Sequence, residues 1–236
     1  MQIIICTREV QQELERQEEF NANVSHELRT PIAVMHAQCQ VSREVAEKKQ
    51  DKEAIKSIEV FERQTNRMKN LVDQLLQMTA IDRKGTTFSI EDIDVRDVIG
   101  SACDDIAYID TKHITFEYSL QPTIIQANMN LIYIVINNLL SNAVKYSNEG
   151  AKIYVSCGEK DGKSYIRIQD EGCGIEKENI SKIFESFYRE KKDRNAEGFG
   201  LGLSQAMKIA ELYGGGIYVE STKNKGSIFT FFIPKP

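Results

Sequence analysis

A largely apolar stripe recurs at alternating steps of three and four through Ile58, Phe61, Thr65, Met68, Val72, Leu75 and Thr79, the spacing of a coiled-coil or bundle seam. A second stripe runs through Val10, Leu14, Val24, Leu28, Ile32 and Met35, with polar Gln17 and Asn21 on it. Between them, Glu47-Lys48-Lys49-Gln50-Asp51-Lys52 has no apolar residue and predicts the connection. Glycine is absent from Met1 to Lys84, and Pro31 is the only proline there, so two long helices are expected. A helical hairpin cannot bury both apolar faces alone. Pairing two hairpins into a four-helix bundle does so, and the pattern therefore predicts a homodimer.

From Phe88 onward the period changes. Short β-branched runs follow one another at Ile114–Tyr118, Lys152–Val155, Tyr165–Ile168, Gly216–Val219 and Ser227–Phe232, several alternating as half-buried strands do. Helical stretches are expected at about 95–108, 129–146 and 202–213, the last closed by Gly214-Gly215-Gly216, residues suited to a left-handed cap. Asn224-Lys225-Gly226 is a turn signal between the last two strands. The fold class expected is α+β: a helical hairpin forming a dimeric four-helix bundle, then an α/β domain with a largely antiparallel sheet covered by helices on one face. The boundaries expected are a helical extension or linker over 1–19, the hairpin over 20–84 and the α/β domain over 88–236. Gly85-Thr86-Thr87 is the expected hinge.

Composition narrows the class. The chain has 236 residues, 41% hydrophobic and 28% charged, with a net charge of −5. That is a globular composition, and its sign argues against nucleic acid or an anionic membrane as partner. Five scattered cysteines form no CxxC pair, which fits a reducing compartment better than a disulfide framework or a zinc knuckle. The longest N-terminal apolar run, Ile3-Ile4-Ile5-Cys6, is far short of the roughly 20 residues of a membrane span. It lacks a signal peptide's basic start and cleavage site. A cytoplasmic chain is expected.

Candidate chemistry begins at Ser25-His26-Glu27-Leu28-Arg29-Thr30-Pro31. A lone histidine on a bundle helix is ordinarily a solvent-facing residue. Here a carboxylate adjoins it, a threonine lies one turn beyond at i+4, and a proline bends the helix just after it. Neutral imidazole carries a free lone pair near pH 7. A carboxylate on the other ring nitrogen's proton fixes the tautomer and raises nucleophilicity. Downstream, Asn137-Asn138-Leu139-Leu140-Ser141-Asn142-Ala143-Val144-Lys145-Tyr146 puts Asn138 and Asn142 on one helical face. Such a pair reads equally as a polar contact between helices or as a hard oxygen ligand for Mg2+. Asp170-Glu171-Gly172-Cys173-Gly174-Ile175 follows a strand, and its glycines allow a tight turn and close backbone approach. Ile183-Phe184-Glu185-Ser186-Phe187-Tyr188-Arg189 reads by itself as core, and Glu190–Glu197 as a solvated loop. Gly198-Phe199-Gly200-Leu201-Gly202-Leu203 opens a helix whose N–H groups make an anion site. A Rossmann loop is excluded there, because no strand immediately precedes it.

Taken in this order, the five segments resemble the H, N, first glycine, F and second glycine boxes of bacterial two-component sensor histidine kinases. The resemblance implies a dimerisation and phosphotransfer hairpin followed by a Bergerat-type ATP-binding domain. It implies that His26 is the phosphoacceptor, with Glu27 as its base and Thr30 orienting water for regulator dephosphorylation. Thr30 reads alternatively as a hydroxyl bonded back to the helix at the kink. ATP is expected to meet Asn138, Asn142, Lys145, Tyr146, Asp170, Gly172, Gly174, Ile175, Tyr188, Arg189, Gly198, Gly200, Leu201, Gly202 and Leu203, with Asp170 accepting from the adenine amine. Asn142 is expected to ligate Mg2+. The aromatics of the F segment are expected to anchor one end of a lid. One departure is Asn128, ahead of the N box, where the family often has aspartate.

The activity implied is autophosphorylation on His26 and transfer to an aspartate on the receiver domain of a response regulator. Two other classes compete: an ATP-driven conformational machine of the gyrase or chaperone type, and a scaffold with a degenerate site. The first has no need of His26-Glu27 on a hairpin, and intact Asn142, Asp170 and glycine segments oppose the second. The family usually places a sensor with transmembrane helices before the hairpin. This chain is therefore expected to be the cytoplasmic portion of a longer protein in the cell membrane.

Overall fold

The structure is a computed structural model that describes Leu28 and residues 30–82, 88–190 and 199–235. These divide into two compact units on either side of residues 86 and 87. The stretch 1–19 and the Gly85–Thr87 hinge lie outside the described residues.

In the first unit, α1 (helical over 30–48) is followed by α2 (Lys52–Asp82). The polar run does form the connection, but its non-helical part is only 49–51. Gln50 takes a left-handed φ of 55°. Its N–H donates to the Glu47 carbonyl at 3.0 Å, and the Asp51 N–H reaches back to Ala46 at 3.0 Å, so α1 ends in a Schellman motif without glycine. Asp51 then caps α2, its carboxylate accepting the Ala54 N–H at 3.0 Å. Arg43 on α1 binds Glu62 on α2 at 2.7 Å as well as Glu47 at 3.1 Å, bridging the two helices near the turn.

The seam on α2 is only partly covered. Thr65 and Val72 are buried, while Phe61 and Met68 are 66% and 44% exposed. On α1, Ile32 is buried and Val34, Met35, Val41 and Val45 are exposed. One neighbouring helix covers one face; seven-residue steps such as Phe61 to Met68 or Val34 to Val41 return to the other.

The second unit begins with β1 (Glu91–Asp94), α3 (Val95–Ile109), β2 (Thr115–Leu120), β3 (Ile124–Ala127) and α4 (Met129–Tyr146). It continues with β4 (Lys152–Lys160), β5 (Lys163–Asp170), α5 (Gly202–Leu212), β6 (Gly216–Thr222) and β7 (Gly226–Pro234). Five strands form one sheet in the order β2-β4-β5-β7-β6. Only the β2–β4 pairing is parallel. α4 packs on β5 and α5 on β6 and β7, so one sheet face is covered by helices, as the α+β expectation had it. The core between them includes Ile132, Ile136, Leu139, Leu140, Ile153, Ile166, Ile168, Ile209 and Phe231.

Two strands went unforeseen. β1 and β3 form a separate antiparallel pair in which Ile93 faces Ile125. Glu91-Asp92-Ile93-Asp94 carries a single apolar residue, too few for alternation to register. The departure at Asn128 has a physical account. It is the N-cap of α4, its Oδ1 accepting the Leu131 N–H at 3.2 Å while its Nδ2 donates to the Ser89 carbonyl at 3.0 Å. A carboxylate could make the cap but not the donation. α5 ends in the expected glycine cap: Gly214, at φ 69°, donates to Glu211 and Gly215 to Ala210, both at 2.9 Å.

Candidate functional site

Strand period decides where Asp170 lies. Along β5, Ser164, Ile166, Ile168 and Asp170 are buried and alternate with Tyr165, Arg167 and Gln169. The carboxylate therefore ends an apolar row on the helix-covered face, 5% exposed. A carboxylate so placed needs donors. Its Oδ1 accepts the Gly172 N–H at 2.8 Å and the Ser227 N–H at 3.3 Å. No described group donates to Oδ2. Burial pushes this carboxyl above its ordinary range, and the two backbone donors pull it partly back.

The turn after Asp170 is tight enough to exclude side chains. A Cβ on Gly172 would stand 2.4 Å from the Tyr146 carbonyl oxygen, and one on Gly174, at φ 61°, 2.1 Å from the Thr222 oxygen. The Cys173 N–H donates to Tyr146 at 3.3 Å, and the Cys173 carbonyl accepts the Asn224 N–H at 2.8 Å. The Ile175 N–H donates to Ser221 Oγ at 2.8 Å, and Ser221 Oγ lies 2.9 Å from Ser227 Oγ. The turn is thus pinned between the end of α4 and the β6–β7 turn.

α4 separates the two asparagines. Asn138 Nδ2 donates to Gln205 Oε1 on α5 at 3.3 Å, which is the polar helix contact. Asn142, half-buried one turn on, has no bonding partner among the described residues. The Lys145 ammonium lies 5.0 Å from the centroid of the Tyr146 ring.

At the start of α5, Gly200 has a φ of 76°, and a Cβ there would stand 2.5 Å from the Tyr188 carbonyl oxygen. Its own carbonyl accepts the Phe187 N–H at 2.9 Å, which laces the F segment to the second glycine segment. Phe187 itself sits at φ 66°, an uncommon conformation for a bulky residue. Leu201, fully buried, holds the N-cap position and offers no side-chain acceptor. It leaves the first N–H groups of α5, at Gly202 and Leu203, for another acceptor. Tyr188 and Arg189 are half-buried. Glu190 accepts from Asn179 Nδ2 at 2.8 Å. Thr30 is exposed on α1. His26, Glu27, Gly198 and the run 191–197 lie outside the described residues.

Sequence reasoning missed Ser221, Gly226 and Ser227. A Cβ on Gly226 would stand 2.0 Å from the Asp170 carbonyl oxygen. The signal for Ser227 lay in register: β7 pairs with β5 so that Ser227 stands opposite Asp170, which no local pattern states. Chemically, the arrangement offers one free carboxylate oxygen in apolar surroundings, which selects a ligand N–H donor. Beside it are glycines that let a flat ring reach the backbone, and a helix start suited to an anion. An adenine nucleotide has all three complements.

Comparison with known proteins agrees. Residues 127–236 match a family model described as histidine kinase-, DNA gyrase B-, and HSP90-like ATPase, and residues 16–84 match the His Kinase A (phospho-acceptor) domain. The chain is 35% identical over 222 residues to sensor histidine kinase WalK of Bacillus subtilis, covering 92% of this chain and 36% of that protein. It is 31% identical over 229 residues to sensor protein SrrB of Staphylococcus aureus, with 92% and 38% covered. Among solved structures, full-length ShkA in complex with AMPPNP superposes with a TM-score of 0.77 at 22% identity, over 92% of this chain and 45% of that one. The Acinetobacter baumannii histidine kinase AdeS gives 0.64 at 25% identity, over 89% and 97%. The chain spans about a third to a half of the length of the curated relatives it matches. Among the described residues, no helix is long and apolar enough to cross a membrane.

An Asp170→Asn variant is expected to bind ADP about tenfold or more weakly, since an amide donor then faces the adenine amine where a charge-assisted bond stood. Acidification is expected to lower the parent's affinity as the carboxyl, raised by burial, takes up its proton, and the variant is expected to lack this dependence. Calorimetry across pH measures both, and unaltered affinity in the variant rejects this site.

Proposed function

Since the chain belongs to the two-component sensor histidine kinases, we propose that it is an ATP-dependent kinase core that phosphorylates itself on His26. It then passes the phosphoryl group to an aspartate on the receiver domain of a response regulator. The observation that carries the reading is the buried Asp170 carboxylate, with one oxygen spent on backbone donors and the other open, on a chain that also carries a phospho-acceptor domain.

In this reading Asp170 Oδ2 accepts from the adenine amine while Gly172 and Gly174 let the ring approach. Ile175 and Tyr146 flank the base, and Asn138 holds α4 to α5. Lys145, Tyr188, Arg189 and the α5 start, with Gly198, Gly200, Leu201, Gly202 and Leu203, receive the phosphates. Asn142 supplies an amide oxygen for Mg2+, whose part when bound is to neutralise phosphate charge. The lone pair of one His26 nitrogen forms the N–P bond as the bond from the γ-phosphorus to the β-bridging oxygen breaks. ADP carries away the electron pair, and Glu27 takes the proton of the other ring nitrogen. In the second step an aspartate oxygen of the regulator bonds to phosphorus as the N–P bond breaks; the electron pair returns to that His26 nitrogen and Glu27 gives the proton back to the other. Positioning supplies most of the acceleration. Thr30 serves the reverse task, holding a water in line with the aspartyl phosphate. ATP and the regulator put this region in the cytoplasm.

The exposed face of Phe61, Met68, Val34 and Val41 supports a homodimer in which two hairpins complete a four-helix bundle. Charge placed there by Phe61→Glu with Met68→Glu is expected to release monomers, read by sedimentation; a persisting dimer rejects the interface.

Incubation with γ-labelled ATP is expected to give acid-labile, alkali-stable label on the parent. On His26→Gln it should give none, with ADP affinity within about twofold of the parent. Label that persists on the variant removes His26 from the role.

Thr30→Ala is expected to keep autophosphorylation and forward transfer while slowing dephosphorylation of purified phosphorylated regulator by about tenfold, the worth of one positioned hydrogen bond. Parental decay of the regulator would leave the hydroxyl a purely structural part.

A further inference from the structure

An α-helix ends on carbonyls that its own backbone does not satisfy. In α4 every one of them has a partner. Ala143 accepts the Ser147 N–H at 3.1 Å, and Tyr146 accepts the Cys173 N–H at 3.3 Å. Val144 and Lys145 accept from one ammonium, Lys112 Nζ, at 3.0 and 2.7 Å, and that group also donates to the Ser147 carbonyl at 2.8 Å. An ammonium has three N–H bonds, and all three are spent here, at the negative end of the helix dipole.

Lys112 is itself held in place. It lies in the loop after α3, where Asp110 accepts the Lys112 N–H at 2.9 Å and the Ile114 N–H at 2.7 Å. Its carbonyl accepts the Gly150 N–H at 2.7 Å. The grip on Lys145 and Ser147 brackets the Tyr146 carbonyl, the same oxygen that leaves no room for a Cβ on Gly172. Gly172 in turn makes the shorter of the two bonds to Asp170.

We propose that Lys112 is a positioning residue of the nucleotide site. Its ammonium sets the Tyr146 carbonyl against the Gly172–Cys173 turn, and the turn delivers Asp170 to the base. The inference rests on the nucleotide reading of that site and names a residue whose three ammonium donors are all given to backbone carbonyls.

The test uses the full chain and calorimetric titration with ADP and with AMP, which share the base and differ in phosphate charge. Lys112→Met keeps the stem and removes the three donors. It is expected to lose about tenfold in affinity, by the same factor for both probes, because the displacement is at the base end. Lys112→Gln keeps one shorter donor and is expected to lose about threefold. Lys152→Met, which removes an exposed ion pair with Glu117, is expected to bind as the parent does. A lysine that merely capped a helix would lower the melting temperature and leave the affinity of the folded protein unchanged. Affinity within about twofold of the parent in folded Lys112→Met overturns the proposal, as does a loss confined to ADP. If Lys112→Met does not fold, parental affinity in Lys112→Gln overturns it instead. A parent that binds neither probe fails the nucleotide reading itself, which is a different result from a parent that binds and a variant that matches it.

Discussion

Keeping one carboxylate out of water organises the second unit. Asp170 is nearly buried at the end of β5, and a charge there persists only if backbone donors face it. Those donors come from Gly172 and Ser227, and each constrains its surroundings. The turn after β5 must be tight enough to bring Gly172 back, which forbids side chains at 172 and 174. β7 must stand beside β5 in a register that sets Ser227 opposite Asp170, which forbids one at 226. Each of these glycines is required by a backbone oxygen close by, of Tyr146 at 172, Thr222 at 174 and Asp170 itself at 226.

The two units meet their burial needs differently. The α/β unit encloses its own core, with Ile132, Ile136, Leu139, Ile168 and Phe231 all shielded. The hairpin leaves large apolar residues on both helices in water, so its surface asks for more protein. Thr65 and Thr79, within the α2 stripe, bond their hydroxyls to carbonyls of their own helix at 2.9 and 2.8 Å. That satisfies them without requiring a partner.

Periodicity made the long elements legible. α3, α4 and α5 stand within a residue or two of their expected spans, because a 3.6-residue pattern over 11 to 18 residues outweighs local noise. β1 and β3 were not legible, since four residues with one apolar member in β1, or with two adjacent isoleucines in β3, give no alternation. In the site, Asp170 and the glycines were legible because the chemistry that needs them is written in consecutive residues. Spacing alone does not tell the two asparagines apart, and Asn142 is singled out for Mg2+ by resemblance; that Asn138 bonds Gln205 was not legible, because its partner lies 67 positions away on α5. Lys112 was invisible, as its three acceptors lie 32 to 35 positions away. A lysine in a loop carries no mark of where its ammonium goes.

Sheet order also carries a kinetic consequence. Among the described strands β7 is made after the others, yet it is interior, lying between β5 and β6. Until it is made, β5 has one open edge and the carboxylate at its end lacks the Ser227 donor, 57 positions downstream. The helical hairpin, whose contacts are local, can form while synthesis continues. The α/β unit must wait for its most distant pairing, the slow kind of closure. The hairpin can therefore form before the α/β unit, in which the surroundings of Asp170 are complete only once β7 has paired with β5.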